Sequence, residues 1–109
     1  RCHINAVGAY RADMAELPSA LFRKAAVFVD QKAAALKEAG DLIQAYEKGD
    51  LKDQDWPELG ELLTENPVIR TKEKPITCFK SVGNAAQDLV VAQYILQKAK
   101  QAGLGQLLA

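Results

Sequence analysis

The sequence predicts an α/β fold in which three parallel strands form one sheet, with flanking helices and a long C-terminal helix. Three short apolar runs predict it, because helical segments separate them and strands joined by helices usually pair in parallel through right-handed crossovers. The middle run, Ala25–Val29, is apolar at every position and bounded by charged residues, which is typical of a strand buried on both faces. Three such strands would make half of a doubly wound sheet.

The first strand is predicted over residues 3–7 and ends at Gly8. Residues 9–16 then form a polar loop, and a loop at a strand end is either a ligand-binding loop or a solvated surface loop. The chain starts at Arg1 without a methionine and enters the strand at once. We interpret this start as that of a fragment that begins inside a larger fold.

Four helices are predicted between the first and last strands, over residues 17–24, 31–39, 41–48 and 56–64. Asp30 is expected to cap the second helix and Gly40 to end it. Asp55 and Glu58 form a capping-box pattern for the fourth helix. Three leucines of that helix are expected to face inward, namely Leu59, Leu62 and Leu63. Residues 66–75 are predicted to be a polar, solvated connection.

The last stretch predicts a strand over residues 76–79, a turn at Gly83 and a long helix that ends near Gly103. Asn84 lies at the N-cap of that helix, and Gln87 completes a capping-box pattern. Such a turn presents backbone N–H groups and a hydroxyl at the carboxyl end of a strand, where open α/β sheets bind ligands. The alternative is that this turn only starts a helix.

The charge balance argues against a surface dedicated to nucleic acid, because Lys plus Arg and Asp plus Glu each number 14. No apolar run is long enough to span a bilayer. The two cysteines, Cys2 and Cys78, and the one histidine, His3, lack the spacing of a metal site. We therefore expect no nucleic-acid, membrane or metal partner, and two reduced thiols.

Several stretches together resemble the C-terminal part of the ornithine cyclodeaminase/μ-crystallin family. These stretches are INAVGAYRADMAELP, VFVD, KEAGDL, ELGELL and ITCFKSVGNAAQDLVVAQYI. The resemblance implies a cytoplasmic, NAD(P)H-dependent homodimer with a Rossmann-type domain and a separate dimerisation domain. Residues 1–83 would be the second half of the Rossmann-type NAD(P)-binding domain, and residues 84–109 the helix that returns to the dimerisation domain.

The resemblance also implies a set of site residues. The strand that ends in Ala6, Val7 and Gly8 matches one that lies along the nicotinamide half of the cofactor in the family. Ser81 matches a serine that contacts the cofactor, and Val82 matches a neighbour of the substrate. No residue of the chain is identified as catalytic, and nothing in it distinguishes NADH from NADPH.

Two positions depart from the family's cyclodeaminases. Tyr10 stands where those enzymes have an aspartate that handles protons, and Met14 stands where the family has a lysine that contacts the cofactor. These departures favour a reductase of a cyclic ketimine carboxylate, such as Δ1-pyrroline-2-carboxylate, acting on an imino or amino acid. The alternatives are ornithine cyclodeaminase activity and a μ-crystallin-like protein that only binds a cofactor or small ligand.

The position of Ser81 leads to two opposed expectations. If its hydroxyl faces a water-filled crevice at the sheet's end, removing it should weaken cofactor binding and leave stability unchanged. If the hydroxyl instead supports the turn near Gly83, removing it should lower stability and leave cofactor affinity unchanged.

A sheet with one half missing should also expose an edge strand. We therefore predict that this chain, in isolation, associates with itself.

Overall fold

The computed structural model describes residues 2–65 and 69–108, and its sheet has the predicted parallel strands. Strands β1 (Cys2–Ala6) and β2 (Ala25–Val29) both pair in parallel with β3 (Ile76–Lys80), in the order β1-β3-β2. The last strand in sequence is thus the central one. The register aligns both Ala6 and Val29 with Lys80, so that all three strands end level. β1 begins and ends one residue earlier than predicted.

The hydrophobic core covers one face of the sheet. It contains alternate residues of all three strands, because side chains of a strand point to opposite faces in turn. Every residue of β2 is buried, as predicted from its uninterrupted apolar run. Phe22, Leu42 and Trp56 complete the core from the helical and loop segments. On the other face, Phe28 packs against the Phe79 ring, with 5.2 Å between the ring centroids.

The helix predicted over residues 17–24 is a shorter 3-10 helix, Ser19–Arg23. Pro18 lies at its N-cap in an extended conformation rather than within its first turn. A short 3-10 helix is a common connector, and here it joins the loop after β1 to the first residue of β2. Only Phe22 of this segment is buried.

Helices α1 (Lys32–Glu38) and α2 (Gly40–Glu47) follow β2, but neither predicted boundary residue acts as expected. Gln31, rather than Asp30, is the N-cap of α1. The amide of Lys32 is instead satisfied by Glu58 Oε1 at 2.7 Å, a partner distant in sequence. Gly40 begins α2 instead of ending α1. A glycine is needed at this position because an added Cβ would lie 2.0 Å from the Met14 carbonyl oxygen.

Helix α3 (Leu59–Glu65) has its N-terminal capping contact three residues later than the predicted capping box. The Glu58 amide donates to Glu61 Oε2 at 2.7 Å, whereas Asp55 forms an ion pair with Lys32. The expectation that Leu59, Leu62 and Leu63 face inward is wrong, since α3 buries none of its residues. The preceding Trp56, in contrast, belongs to the hydrophobic core.

Helix α4 (Ala85–Gln101) confirms the predicted N-cap and end of the last helix. The predicted capping box differs, because the Gln87 amide donates to the Asn84 carbonyl and not to the Asn84 side chain. Asn84 Oδ1 accepts from the Ala86 amide at 2.9 Å, and Gly83 has a φ of 96°, which favours glycine. Gly103 has a φ of 66° just beyond the helix. No residue of α4 is buried. The predicted domain boundary at residue 83 stays a prediction.

The predicted connection over residues 66–75 falls partly outside the described residues, at 66–68. Its described part, residues 69–75, contains neither helix nor strand, as predicted. Among the helices described, none combines the length and the apolar character that crossing a membrane requires.

Candidate functional site

The residues that follow the three strands meet at one end of the sheet, which we call the carboxyl edge. It comprises Val7 and Gly8 after β1, Asp30 after β2, and residues 81–83 after β3. The level register of the strands brings these residues together. The Ser81 amide donates to the Ala6 carbonyl at 3.1 Å, which extends the pairing of β1 and β3 to the edge itself.

The predicted cofactor residues have different degrees of exposure at this edge. Ala6 is buried, whereas Val7 is 66% exposed and Gly8 is exposed as well. Ser81 is buried, and the half-buried Val82 packs against the hydrophobic core. The structure therefore brings all five predicted residues to one place, while their roles toward cofactor and substrate stay predictions.

The Ser81 hydroxyl makes two hydrogen bonds within the chain. Its Oγ lies 2.6 Å from Asp30 Oδ2 and accepts from the Gly83 amide at 3.2 Å. The expectation that its hydroxyl faces a crevice without a protein partner is wrong, because Asp30 and Ser81 follow two strands that end level. The observed bond from the Gly83 amide agrees with the alternative expectation, that the hydroxyl supports the turn. Its contact with a cofactor is not tested by this geometry.

A buried lysine lies directly beneath the edge. Lys80 is the last residue of β3, is fully buried, and donates from Nζ to Glu16 Oε1 at 2.9 Å. Asp41 Oδ2 also lies 2.9 Å from Nζ, as an ion pair outside hydrogen-bond geometry, and Asp41 is itself buried. Burying a lone ammonium would be costly, so these two carboxylates are needed to offset its desolvation.

The two carboxylates in turn hold the loop that follows β1. Glu16 Oε1 accepts from the amides of Gly8, at 2.8 Å, and Ala9, at 3.3 Å. Asp41 Oδ1 accepts from the amides of Glu16, at 2.7 Å, and Leu17, at 2.8 Å. Both ends of the loop over residues 8–17 are therefore tied to side chains that meet at Lys80.

These contacts change the pKa of Glu16. Burial alone would raise it, but the hydrogen bonds from Lys80 and from the Gly8 and Ala9 amides outweigh burial, and the pKa is lowered from its ordinary value of 4.5. A carboxylate that receives several donors is held in its charged form. Glu16 is thus an ionised anchor for the start of the loop.

The middle of the loop packs closely on helix α2. Gly40 faces the carbonyl oxygens of Arg11, Ala12 and Met14, and Gln44 Nε2 donates to the Ala12 carbonyl at 3.1 Å. Tyr10 remains 55% exposed, close in sequence to the exposed Gly8. The loop is therefore anchored on its inner side and presents Tyr10 outward, a geometry compatible with a ligand loop.

Sequence reasoning missed Lys80, Asp41 and Asp30 as parts of this site. A signal for Lys80 was present, since it alternates with Ile76 and Cys78 on the core face of β3, and a lysine there requires buried partners. The partners carried no such local signal, because Glu16 is 64 residues away in sequence.

Among the described residues, neither thiol belongs to a metal site, and Cys78 is not activated as a nucleophile. Cys78 is buried, and burial raises its pKa from 9.0 to about 11 despite the opposing effect of Lys80. Cys2 is exposed at the start of β1. In the ranges 2–65 and 69–108, no three His, Cys, Asp or Glu side chains are grouped so that they could hold a metal ion.

Comparison with known proteins identifies relatives along nearly the whole chain. Residues 2–103 match the profile of the ornithine cyclodeaminase/mu-crystallin family. Delta(1)-pyrroline-2-carboxylate reductase of Bacillus cereus is 41% identical over 106 residues, covering 95% of this chain and 33% of that protein. Ketimine reductase mu-crystallin of Mus musculus is 42% identical over 94 residues, covering 85% of this chain and 27% of that protein.

A solved structure shares the fold described above. Thermococcus litoralis Delta(1)-pyrroline-2-carboxylate reductase, in complex with NADH and L-proline, superposes with a TM-score of 0.76 and 36% identity. The superposition covers 97% of this chain and 33% of that one. The chain therefore spans about a third of the length of the relatives that it matches.

Proposed function

Because the chain belongs to the ornithine cyclodeaminase/mu-crystallin family, we propose that it forms the nicotinamide-side part of an NAD(P)H-dependent reductase. The substrate is a cyclic ketimine carboxylate such as Δ1-pyrroline-2-carboxylate, and the product is the corresponding cyclic amino acid. The observation that carries the proposal is the carboxyl edge, where the ends of all three parallel strands meet. In open α/β sheets this is the end at which ligands bind.

The residues at the edge fit a nicotinamide cofactor. Val7 offers an exposed apolar side chain against which a flat ring can pack, and Gly8 next to it carries no side chain. Asp30 and Ser81 place polar oxygens on the neighbouring strand ends. An apolar surface with a few convergent polar groups is the usual composition of a small-molecule site.

When bound, NAD(P)H would supply the hydride that adds to the carbon of the C=N bond, while the nitrogen takes up one proton. The chain's own residues fix the backbone at the carboxyl edge. Lys80 holds Glu16, and Glu16 holds the Gly8 and Ala9 amides, so the start of the loop over residues 8–17 keeps its shape. Such fixed positioning is how a protein lowers the entropy loss of bringing two reactants together.

The proposal includes a homodimer in the cytoplasm, as the family resemblance implies. The exposed apolar side chains of α4 support a partner surface, since Leu89, Tyr94 and Leu96 are each more than half exposed. Several large apolar side chains exposed on one helix are typical of an interaction site. The resemblance assigns this helix to the dimerisation domain, which is the role we propose for it.

An assay of the full-length protein tests the proposal. With Δ1-pyrroline-2-carboxylate, we expect oxidation of NADH or NADPH in proportion to the imine supplied, and L-proline as product. L-ornithine should release no ammonia, because Tyr10 replaces the aspartate of the cyclodeaminases. Cofactor binding without turnover of any cyclic imine would contradict the reductase and favour a μ-crystallin-like binding protein.

A further inference from the structure

Asp30 and Ser81 form a pair whose remaining hydrogen-bonding capacity is entirely that of an acceptor. Ser81 Oγ lies 2.6 Å from Asp30 Oδ2, and a carboxylate only accepts, so the hydroxyl proton points toward Asp30. The Gly83 amide donates to the same Oγ at 3.2 Å. A hydroxyl has one donor and two acceptor positions, which leaves Ser81 with one free acceptor position and no donor.

The Asp30 carboxylate also has acceptor capacity to spare. Its Oδ1 accepts from the Gln31 amide at 2.8 Å, and its Oδ2 from Ser81. Two carboxylate oxygens together offer about four acceptor sites, so about two are free. No described Lys or Arg forms an ion pair with Asp30, unlike Glu16 and Asp41 beneath the edge. Asp30 is only partly buried, and a ligand can therefore reach it.

We propose that Asp30, oriented by the buried Ser81, forms an acceptor-only recognition site for an N–H group of the bound ligand. The inference rests on the proposed function, which provides two such groups. One is the carboxamide N–H of the nicotinamide, and the other is the ring N–H of the protonated cyclic imine or of the cyclic amino acid. A ligand carbonyl placed here would meet only lone pairs. Asp30 thus determines which ligand atoms the edge accepts, through charge-assisted hydrogen bonds.

Two ligand pairs, each of which differs in a single N–H-bearing nitrogen, test the proposal in the full-length protein. The first pair is NAD(P)+ and its acetylpyridine analogue, in which a methyl group replaces the amide nitrogen. The second is L-proline and tetrahydrofuran-2-carboxylate, in which oxygen replaces the ring nitrogen. Dissociation constants are measured by calorimetry for each member. In the wild-type protein we expect at least one pair to favour the N–H member by about tenfold, or about 1.4 kcal/mol.

The variant Asp30→Asn should reduce that preference to less than about threefold, because the charge that strengthens the hydrogen bond is lost. Asp53→Asn is the matched control. Asp53 is exposed and lines a cavity with Arg23 and Lys74, which precede the strands at the opposite end of the sheet. It makes the same change in charge, and we expect it to leave both preferences as in the wild type.

The outcomes separate this inference from the proposed function. Retention of the full preference in Asp30→Asn, with the melting temperature unchanged, would overturn the inference alone. Absence of any preference in the wild-type protein would also overturn it, and this measurement needs no variant. Failure of NADH and NADPH to bind the wild-type protein at all would instead contradict the proposed function.

Discussion

The carboxyl edge of the sheet and helix α4 are joined by a few residues, yet their surroundings are opposite. Beneath the edge, the charged groups of Lys80 and Asp41 are fully buried and paired with each other. In α4, the apolar side chains of Leu89 and Leu96 are 62% and 56% exposed. The charged groups beneath the edge are thus paired within the chain, whereas the apolar side chains of the helix are not covered by any of the residues described.

This difference shows which part of the chain is self-sufficient. Burying a charge without a partner would cost several kcal/mol, so the network around Lys80 has to be complete for the sheet to be stable. Exposed leucines cost little in the folded chain, because much of any protein surface is apolar. Substitutions in the two regions should therefore have very different consequences.

The largest effect is expected at Lys80. Lys80→Met removes the ammonium and leaves two carboxylates uncompensated, one of them fully buried, so we expect a loss of about 3–5 kcal/mol of unfolding free energy. Urea denaturation followed by circular dichroism measures it. Lys100→Met in the exposed last turn of α4 is the control, and it should change stability by less than about 0.5 kcal/mol. Equal effects of both substitutions would remove the distinction between the regions.

A second effect of burial should appear at alkaline pH. The pKa of Cys78 is raised from 9.0 to about 11, so the unfolded chain loses this proton first. Its contribution to stability is complete below pH 9.0 and is lost as the pH rises through about 11. The loss amounts to about 2–3 kcal/mol at ~1.4 kcal/mol per pKa unit.

Urea denaturation at stepped pH values measures this loss. We expect Cys78→Ala to flatten the alkaline part of the stability profile, while Cys2→Ala, at an exposed position, leaves it steep. A profile that stays steep in Cys78→Ala would mean that another group titrates there.

The close approach of α2 to the loop gives a third, smaller effect. Gly40→Ala would place a Cβ 2.0 Å from the Met14 carbonyl oxygen. Because that oxygen belongs to the backbone, either the loop or helix α2 has to shift. We expect a loss of about 1–3 kcal/mol, as for other overpacked sites. Gly60→Ala in α3 meets nothing within 4 Å, and should gain about 0.5–1 kcal/mol from helix propensity. Opposite signs in thermal unfolding would confirm the contrast, and the same sign would contradict it.

The smallest effect on stability is expected in α4, where association should change instead. Leu89→Lys combined with Leu96→Lys removes exposed apolar area, so unfolding free energy should change by less than about 0.5 kcal/mol. Light scattering should show less self-association of the chain. Gln101→Lys adds charge at the last residue of the same helix, away from the face that Leu89 and Leu96 share, and should leave association nearly unchanged. Equal shifts in all variants would point to net charge, or to the edge of β1, as the cause.

The parts of the fold that local patterns determine could be predicted from the sequence. β2 was predicted to the residue because its apolar run is bounded by charges on both sides. The start of α4 was predicted because Gly83 and Asn84 act through their own backbone and nearest neighbours. In both cases the residues that determine the structure lie within a few positions of it.

The parts that were missed depend on partners far away in sequence. Asp30 resembles a helix cap, but Ser81, which follows another strand, takes one of its oxygens. Gly40 resembles a helix stop, but the carbonyl oxygens packed against it come from the loop after β1. The site network joins Glu16, Asp41 and Lys80, and no local pattern shows that these three meet. The strand ends at the site were therefore predictable, and the charges that hold them were not.

The central position of β3 has a consequence for how this chain folds. β1 and β2 pair only with β3 in the described sheet, and β3 follows both of them in the sequence. Until residue 80 has left the ribosome, neither strand can form the pairing seen here, and the carboxylates of Glu16 and Asp41 lack the buried cation that they contact. Contacts between residues so far apart require long loops to close, which slows folding. The sheet and its ion network should therefore form together, late and in one step.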